Sequence, residues 1–506
     1  MRLKRFLGII LAVVLVFSVI GQAAAANTTT KVVVNGEYLS FDVPPTIVQG
    51  RTLVPVRAIF EALGVTVNWD TATRTVIATK SGTKIELPVD QKTAKKNNQE
   101  IRLDVPATII DNRTLVPARF VAESLGCSVD WDAITRTVIV SSSPLLKIHY
   151  IDVGQGDSIF IDYGDYDILI DAGDNDYGQT VVNYLKKLNT DDIELMVATH
   201  PDSDHIGGLD DVLSAFKVAK IIDSGVNHTT QTYTDYMAAV NSEIAAGAQF
   251  LNDDDMSFDL GNGVKFEIIE TGDNNGSNNA NSVVSKLTYD GVSALFTGDM
   301  DEDAEAKILN RNIDVDILKL AHHGSRSSSG AEFLAQVSPA ISIISAGENN
   351  RYGHPHPETL DSLGKYTTNV YGTWLSGNVV VTVDGTNYFV NTDKKVQGDQ
   401  EPTPVNQGPT SVSGVVIKSI DLDKEIVIIE NTSSSDVDMT GWKLLSVVGN
   451  QSYSFPDGFA IKAGQSITVA SGRSTGTLKW SGQYIWNNDG DPGILYDNLG
   501  NEVSKK

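Results

Sequence analysis

The nine residues HPDSDHIGG, His200 to Gly208, constrain this chain more than any other stretch of it. They follow Ile193 to Thr199, an apolar run with β-branched residues that reads as a buried strand. Gly207 and Gly208 then let the backbone turn closely into an amphipathic helix over Leu209 to Val218. A strand that runs through a tight turn into a helix belongs to an α/β sheet. Such sheets place functional side chains at the carboxyl ends of their strands. Four side chains of this turn, His200, Asp202, Asp204 and His205, can bind metal. Two imidazoles and two carboxylates so close together suit a pair of divalent cations, which activate water and hold both oxygens of a displacement.

The histidines point the same way. The chain has eight, all between His149 and His356. Six fall in three short motifs: His200 with His205, His322 with His323, and His354 with His356. Clustered His and Asp is the composition of a metal site. His149, in an expected strand, and His228, in an expected loop, carry no motif and read as structural.

The 506 residues are enough for several domains. Arg2, Lys4 and Arg5 precede an apolar run from Phe6 to Ile20 and small residues at Ala23 to Ala26. This reads as a secretory signal peptide over residues 1–26. The run is short for a membrane span, which needs about 20 residues. No other segment could cross a membrane, so the mature chain is expected to be secreted or associated with the cell surface. Cys127, the only cysteine, reads as a small core residue, so no disulfide contributes. The net charge of −25 is uneven: residues 144–395 carry 15 basic and 39 acidic side chains, hence −24. That excess repels nucleic acid at long range, with Arg326, Arg351 and Lys319 as the few local cations offered to phosphate.

Residues 27–143 hold an internal repeat of period 62. GRTLVPVRAIFEALGVTVNWDTATRTVIA, from Gly50, recurs as NRTLVPARFVAESLGCSVDWDAITRTVIV, from Asn112. Each copy reads as a strand, a short helix (56–63 and 118–125) and a hairpin, with no catalytic set. This stretch resembles the copper-amine-oxidase N-terminal-like domain of bacterial surface proteins, which implies an accessory module rather than copper chemistry. A linker is expected at Ser141 to Pro144, and a second, polar and rich in Pro, Gly and Gln, at 396–413. Residues 414–506 have short alternating runs between Gly, Asn and Asp turns. EIVIIENTSSSDVDMTGWKLLSV and YSFPDGFAIKAGQSITVASG in that segment resemble the lamin-tail domain, an immunoglobulin-like sandwich.

Residues 144–395 carry DVGQGD, LIDAG, THPDSDHIGG, FTGD, LKLAHHGS and YGHPHP in that order. Asp157 lies in a hairpin turn, and Asp171 ends a strand where it could hold a metal ligand in place. Asp299 and the His322-His323 pair end two further strands. The set closely resembles the metallo-β-lactamase family, in particular the ComEC/Rec2 competence proteins. The resemblance implies a multidomain chain whose centre is a four-layer αβ/βα sandwich, between an N-terminal α+β repeat domain and a C-terminal all-β sandwich. It also implies a dinuclear centre. His200 and Asp202 would hold one ion; Asp204, His205 and His323 the other; Asp299 would bridge. The choice between His322 and His323 stays open. The general family motif has a His where Asp202 stands, and no His occupies its third-motif position, where Asn281 lies instead. Harder oxygen ligands move the preference from Zn²⁺ toward Mn²⁺ or Mg²⁺. Asp204, His322, His354 and His356 are the candidate catalytic groups, with Ser325 and Arg326 as anion contacts.

The function implied is a phosphodiesterase, most simply a nuclease on extracellular DNA, with the flanking domains contacting the cell surface or wall. A hydrolase of wall phosphoesters of the phosphocholine or teichoic-acid type is the second reading. A surface-binding protein without catalysis is the third. Residues 144–395 hold every His and every candidate ligand, so that segment alone is expected to suffice for chemistry.

Overall fold

The computed structural model describes residues 30–271, 276–367, 369–394, 415–422, 424–433, 436–440, 442–446, 451–456, 458–486, 492–496 and 502–506. The expected signal peptide, 1–26, and the expected linker, 396–413, lie outside the described residues.

The central domain is built from two facing sheets. In the eight-stranded sheet, Tyr166–Ile170, Leu195–Ala198, Lys220–Asp223 and Gln249–Leu251 run parallel. In the seven-stranded sheet, Val292–Phe296, Ile317–Lys319, Ile341–Ile344 and Val370–Gly372 do the same. Leu195–Ala198 is buried at every position, as parallel strands covered on both faces must be. Tyr150, Ile161, Phe266, Phe296 and Ile343 fill the space between the sheets. Outside the first sheet lie the helices Gly178–Leu188, Leu209–Ala215 and Gln231–Ala246, packed through Val181, Leu185, Leu209 and Val240. Outside the second lie Glu302–Ile308, Ala331–Val337 and Pro357–Leu363, packed through Ala304, Ile308, Phe333 and Leu363. The result is the expected four-layer αβ/βα sandwich. The parallel strands of each half end at one edge, and the loops after Ile170, Ala198, Phe296, Lys319 and Ile344 carry the candidate residues.

The N-terminal repeats interlock. Lys31–Val34 pairs in parallel with Thr137–Ser141 of the second copy. Arg51–Pro55 pairs antiparallel with its counterpart Arg113–Pro117. One core, with Val32, Phe60, Leu87 and Val121, serves both copies. The helices span Val56–Ala62 and Ala118–Ser124.

The linker expected at Ser141 to Pro144 is not a free tether. Ser141 ends a strand and is buried, Ser142 N–H donates to Asn35 Oδ1 at 2.7 Å, and Leu145 is buried. Val33 and Ile139 of the repeat domain pack with Leu145 and Phe389 of the central domain. Around them, Lys147 pairs with Asp130 at 2.9 Å, and Asn387 Nδ2 donates to Gly36 O at 2.9 Å. Apolar and polar contacts together weld the two domains.

At the C-terminus, two four-stranded sheets and a short strand pair enclose Val427, Met439, Trp442, Phe455 and Trp486, the sandwich expected there. Glu425 is buried within it, where its carboxylate accepts from Ser471 Oγ and from the N–H groups of Ile485 and Trp486. Among the described residues, no helix is long and apolar enough to cross a membrane.

Two tests follow from this packing. Phe389→Ala should cost about 3–5 kcal/mol and lower the calorimetric unfolding midpoint. Trp69→Ala, at a hairpin position 40 % exposed, should shift it far less. The second concerns the acidic surface. Burial, then Asp162, Glu194, Asp191 and Asp192, pushes Asp167 up to about 8. A carboxyl raised in the folded state binds a proton that the unfolded chain has released, so stability falls as pH rises from about 4 through 8. Asp167→Asn should therefore raise the midpoint more at pH 8 than at pH 5 in parallel thermal scans. An equal effect at both would remove Asp167 as the cause.

Candidate metal centre

Each candidate side chain is aimed by its own strand end. Asp171 follows Tyr166–Ile170 with a left-handed φ of 55°, which turns its carboxylate back across the sheet edge. Its Oδ1 accepts from Thr199 N–H at 2.9 Å, and its Oδ2 from Thr199 Oγ1 at 2.6 Å. That same Oδ2 lies 2.8 Å from His205 Nδ1. With a proton on Nδ1 donated to Asp171, His205 presents Nε2 to Asp299 Oδ1 at 3.2 Å. His205 itself sits on a single helical turn, Ser203–Ile206. Gly207 and Gly208 behind it have ordinary negative φ, so turning freedom is not what they supply. A Cβ on Gly207 would lie 2.4 Å from Asn175 N, and one on Gly208 2.4 Å from Ala172 O. Close packing requires glycine at both.

From the second sheet, Asp299 follows Val292–Phe296, with its N–H donating to Ser282 Oγ at 3.1 Å. His322 and His323 follow Ile317–Lys319, both left-handed, with φ of 49° and 54°. Two successive non-glycine residues there store strain, and the outcome is that both rings reach one carboxylate. His323 Nε2 lies 3.4 Å from Asp299 Oδ2 and 3.4 Å from Asp204 Oδ2. His322 Nε2 lies 3.6 Å from Asp299 Oδ2. The two differ in setting. His323 is buried, and its Nδ1 lies 2.9 Å from the Ser345 carbonyl, which fixes a donor there and leaves Nε2 as the acceptor. His322 is 23 % exposed, with Asn279 Nδ2 and Ser327 Oγ each 3.2 Å from its Nδ1.

The remaining candidates surround this centre. His200 Nε2 is 4.0 Å from Asp299 Oδ2 and 3.7 Å from Asp202 Oδ2. Asp202 Oδ1 accepts from Asn278 Nδ2 at 2.6 Å. The ring of His354 lies 5.4 Å from that of His322 and 6.1 Å from that of His323. Burial, then His323, His322 and His356, pushes His354 down to about 4. His356 lies one ring further out, 4.8 Å from His354, and its Nδ1 accepts from Arg326 N–H at 3.1 Å. Ser325 is buried, and Arg326 pairs with Glu358 at 3.5 Å.

Sequence reasoning missed or misplaced four residues of this centre. Asp157, read only as a turn residue, joins His205, Asp299 and His323 in a group whose ligand atoms lie within 4.8 Å of one another. Lys319, offered above to a phosphate, is fully buried and pairs with Asp157 at 2.7 Å, so it is closed to a polymer. Asn278 and Asn279 touch Asp202 and His322, whereas Asn281 turns away to Ser277 O. An apolar run that reads as a strand does not say which face Lys319 takes. The Asn run could have been singled out as a polar turn between two motifs.

This donor set suits divalent cations. Among the described residues, Nε2 of His200, His205 and His323 and Oδ1 of Asp299 are buried without a hydrogen-bond partner, and they converge. Burial would lower His205 and His323, yet the Asp299 carboxylate and its neighbours outweigh it and raise both well above the usual range. Burial would raise Asp299, yet His323 and His205 hold it well below the carboxylate range. The pocket therefore demands positive charge, which imidazolium or a metal ion satisfies.

Comparison with known proteins agrees. Residues 151–348 match the metallo-beta-lactamase superfamily. The central domain belongs to this superfamily. Residues 33–140 match the copper amine oxidase N-terminal domain, and residues 409–505 the lamin tail domain. ComE operon protein 3 of Bacillus subtilis is 31 % identical over 46 % of this chain and 32 % of its own length. Recombination protein 2 of Haemophilus influenzae is 27 % identical over 56 % of this chain and 33 % of its own. The chain thus spans about a third of the curated relatives it matches. The metallo-beta-lactamase fold protein YhfI of Bacillus subtilis aligns with a TM-score of 0.30 at 12 % identity, over 46 % of this chain and 96 % of that one. The superfamily implies divalent ions, and the buried His and Asp cluster is present to receive them.

Asp171→Ala should lower metal affinity about 10–100-fold, since His205 loses the partner that sets its tautomer. Chelator competition measures this. Wild-type affinity in the variant would show that Asp171 only supports the fold.

Proposed function

We propose that the central domain is a dinuclear metal-dependent phosphodiesterase, most simply a secreted or cell-surface nuclease acting on extracellular DNA. The observation that supports this most is the convergence of His200, His205, His322 and His323 nitrogens on the single carboxylate of Asp299. Two divalent ions held there would supply an activated water and charge neutralisation for both oxygens of a displacement. His200 and Asp202 are assigned to one ion, Asp204, His205 and His323 to the other, and Asp299 to both. His323 rather than His322 takes the ligand role because it is buried with its tautomer set by Ser345. Asp204 also faces the water side, where it can take up a proton. His322 and His354, neighbours at the open side that burial first of all holds neutral, are placed to donate a hydrogen bond to the phosphate. His356 acts through the Arg326 backbone that it holds. Asp202 in place of an imidazole favours Mn²⁺ or Mg²⁺ over Zn²⁺.

The relative named for recombination supports a nucleic-acid substrate. The repeat and lamin-tail domains are read as contacts to the cell surface or wall. Protein loaded with Mn²⁺, Mg²⁺ or Zn²⁺ should cleave plasmid, single-stranded DNA and bis(4-nitrophenyl) phosphate, and not choline phosphate, with turnover highest in Mn²⁺. Asp299→Ala should bring bound metal well below two per chain by elemental analysis and abolish cleavage. Full metal content in that variant would remove the bridging role. Cleavage of choline phosphate alone would replace the nuclease reading with the wall-phosphoester one.

A further inference from the structure

The loop from Gly347 to His356 closes one side of the carboxylate cluster and is wound around the side chain of Asn350. Its Oδ1 accepts from the N–H groups of Tyr352 at 3.1 Å and His354 at 3.0 Å. Its Nδ2 donates to the carbonyls of Gly347 at 2.9 Å and His354 at 2.6 Å. Gly347 N–H donates to Gln155 Oε1 at 3.3 Å, which ties this loop to the DVGQGD turn. A loop held by five such bonds presents its side chains in fixed positions.

What it presents is a ladder of planar groups leading inward. The Arg351 guanidinium lies over the Tyr352 ring, 4.7 Å from its centre. Tyr352 and His354 are stacked, with 5.6 Å between ring centres and 22° between planes. His354 in turn neighbours His322 and His323. Tyr352 is 47 % exposed, so core packing does not require an aromatic ring there. Among the described residues, Arg351 has no carboxylate within ion-pair distance, whereas Arg326 is paired with Glu358. Arg351 Nη2 also donates a hydrogen bond to Tyr352 Oη. An unpaired cation on an aromatic face, at the rim of a domain with 39 acidic and 15 basic side chains, is a recognition feature rather than a surface average.

We propose that Arg351, Tyr352 and His354 form a nucleotide-binding rim, in which a nucleobase stacks on Tyr352 in place of the Arg351 guanidinium, and that guanidinium turns to the adjoining phosphate. This rests on the phosphodiesterase reading and names the part of the substrate that the rim recognises. Stacking tolerates every base, because each has a π face. A quaternary ammonium also seeks aromatic faces, but the charge of Arg351 repels it. Glycerol and ribitol phosphates have no π face to offer. The rim therefore favours nucleic acid over wall polymers through its shape and charge, without reading sequence.

The test compares thymidine 5′-(4-nitrophenyl phosphate) with methyl 4-nitrophenyl phosphate, using the full chain loaded with Mn²⁺. The ratio of their kcat/KM values should favour the nucleoside ester in the wild type. It should fall about 5-fold or more in Tyr352→Ala, mainly through KM of the nucleoside ester, and return in Tyr352→Phe. Tyr352→Leu, which keeps bulk without a π face, takes the place of the alanine variant if that does not fold. An unchanged ratio in a variant with the wild-type circular dichroism spectrum overturns the proposal and leaves the phosphodiesterase reading standing. If neither ester is cleaved, the phosphodiesterase reading falls, and calorimetry with thymidine 5′-monophosphate and choline phosphate judges the rim separately. Thymidine monophosphate binding that weakens in Tyr352→Ala upholds it; no such binding, or preference for choline phosphate, overturns it.

Discussion

Buried negative charge is the constraint on which the central domain turns. Asp157, Asp171 and Asp299 are all nearly or wholly inaccessible to water at one sheet edge. A carboxylate in such surroundings must be paired, hydrogen-bonded or neutralised. Lys319 pairs with Asp157, and Thr199 with His205 satisfies Asp171. Asp299 is left to the imidazoles of His205 and His323, whose Nε2 atoms face it without a hydrogen-bond partner. The fold tolerates this because two sheets deliver the ligands from strand ends held by a common apolar interior. Displacement of either sheet would separate Asp299 and His323 from His200 and His205.

The same economy of charge shapes the rim. An acidic domain cannot attract a polyanion by its overall field, so recognition falls to a few local contacts. With Lys319 sequestered in the interior, the accessible cations near the centre reduce to Arg326 and Arg351, and only Arg351 lacks a carboxylate partner among the described residues. The geometry suits short-range recognition by stacking and metal coordination over long-range electrostatic capture.

The repeat domain is part of the molecule's stability rather than a detachable appendage. Its sheet covers Leu145 and Phe389, and its Asp130 meets Lys147. The segment 144–395 holds every candidate ligand, as the sequence indicates, but on its own it would expose an apolar face that the repeats now bury. The two copies differ in this respect. The first meets the central domain through Val33 and Gly36 and leaves its hairpin residue Trp69 exposed, while the second meets it through Ile139 and Asp130.

Local signals carried much of this molecule. The period of 62, the apolar runs ending in HPDSDHIGG, TGD and AHHG, and the alternating runs of the C-terminal segment each name their element, because strand and turn chemistry is written within a few residues. Motif order likewise indicated the superfamily and the candidate ligands. Tertiary structure alone decided how those groups relate. Ser141 to Pro144 looks like a tether until the packing of Leu145 is seen. Lys319 looks like a free cation until its strand face turns it inward to Asp157. His322 and His323 are adjacent and chemically identical, and only their backbone twist and the Ser345 carbonyl separate a buried ring from a half-buried one. Gly207 and Gly208 look like turning residues, yet they are required by atoms of Asn175 and Ala172, distant in sequence and touching in space. Sequence specifies which groups are available; the meeting of two sheets, a non-local event, specifies which of them are buried, paired and aimed at one another.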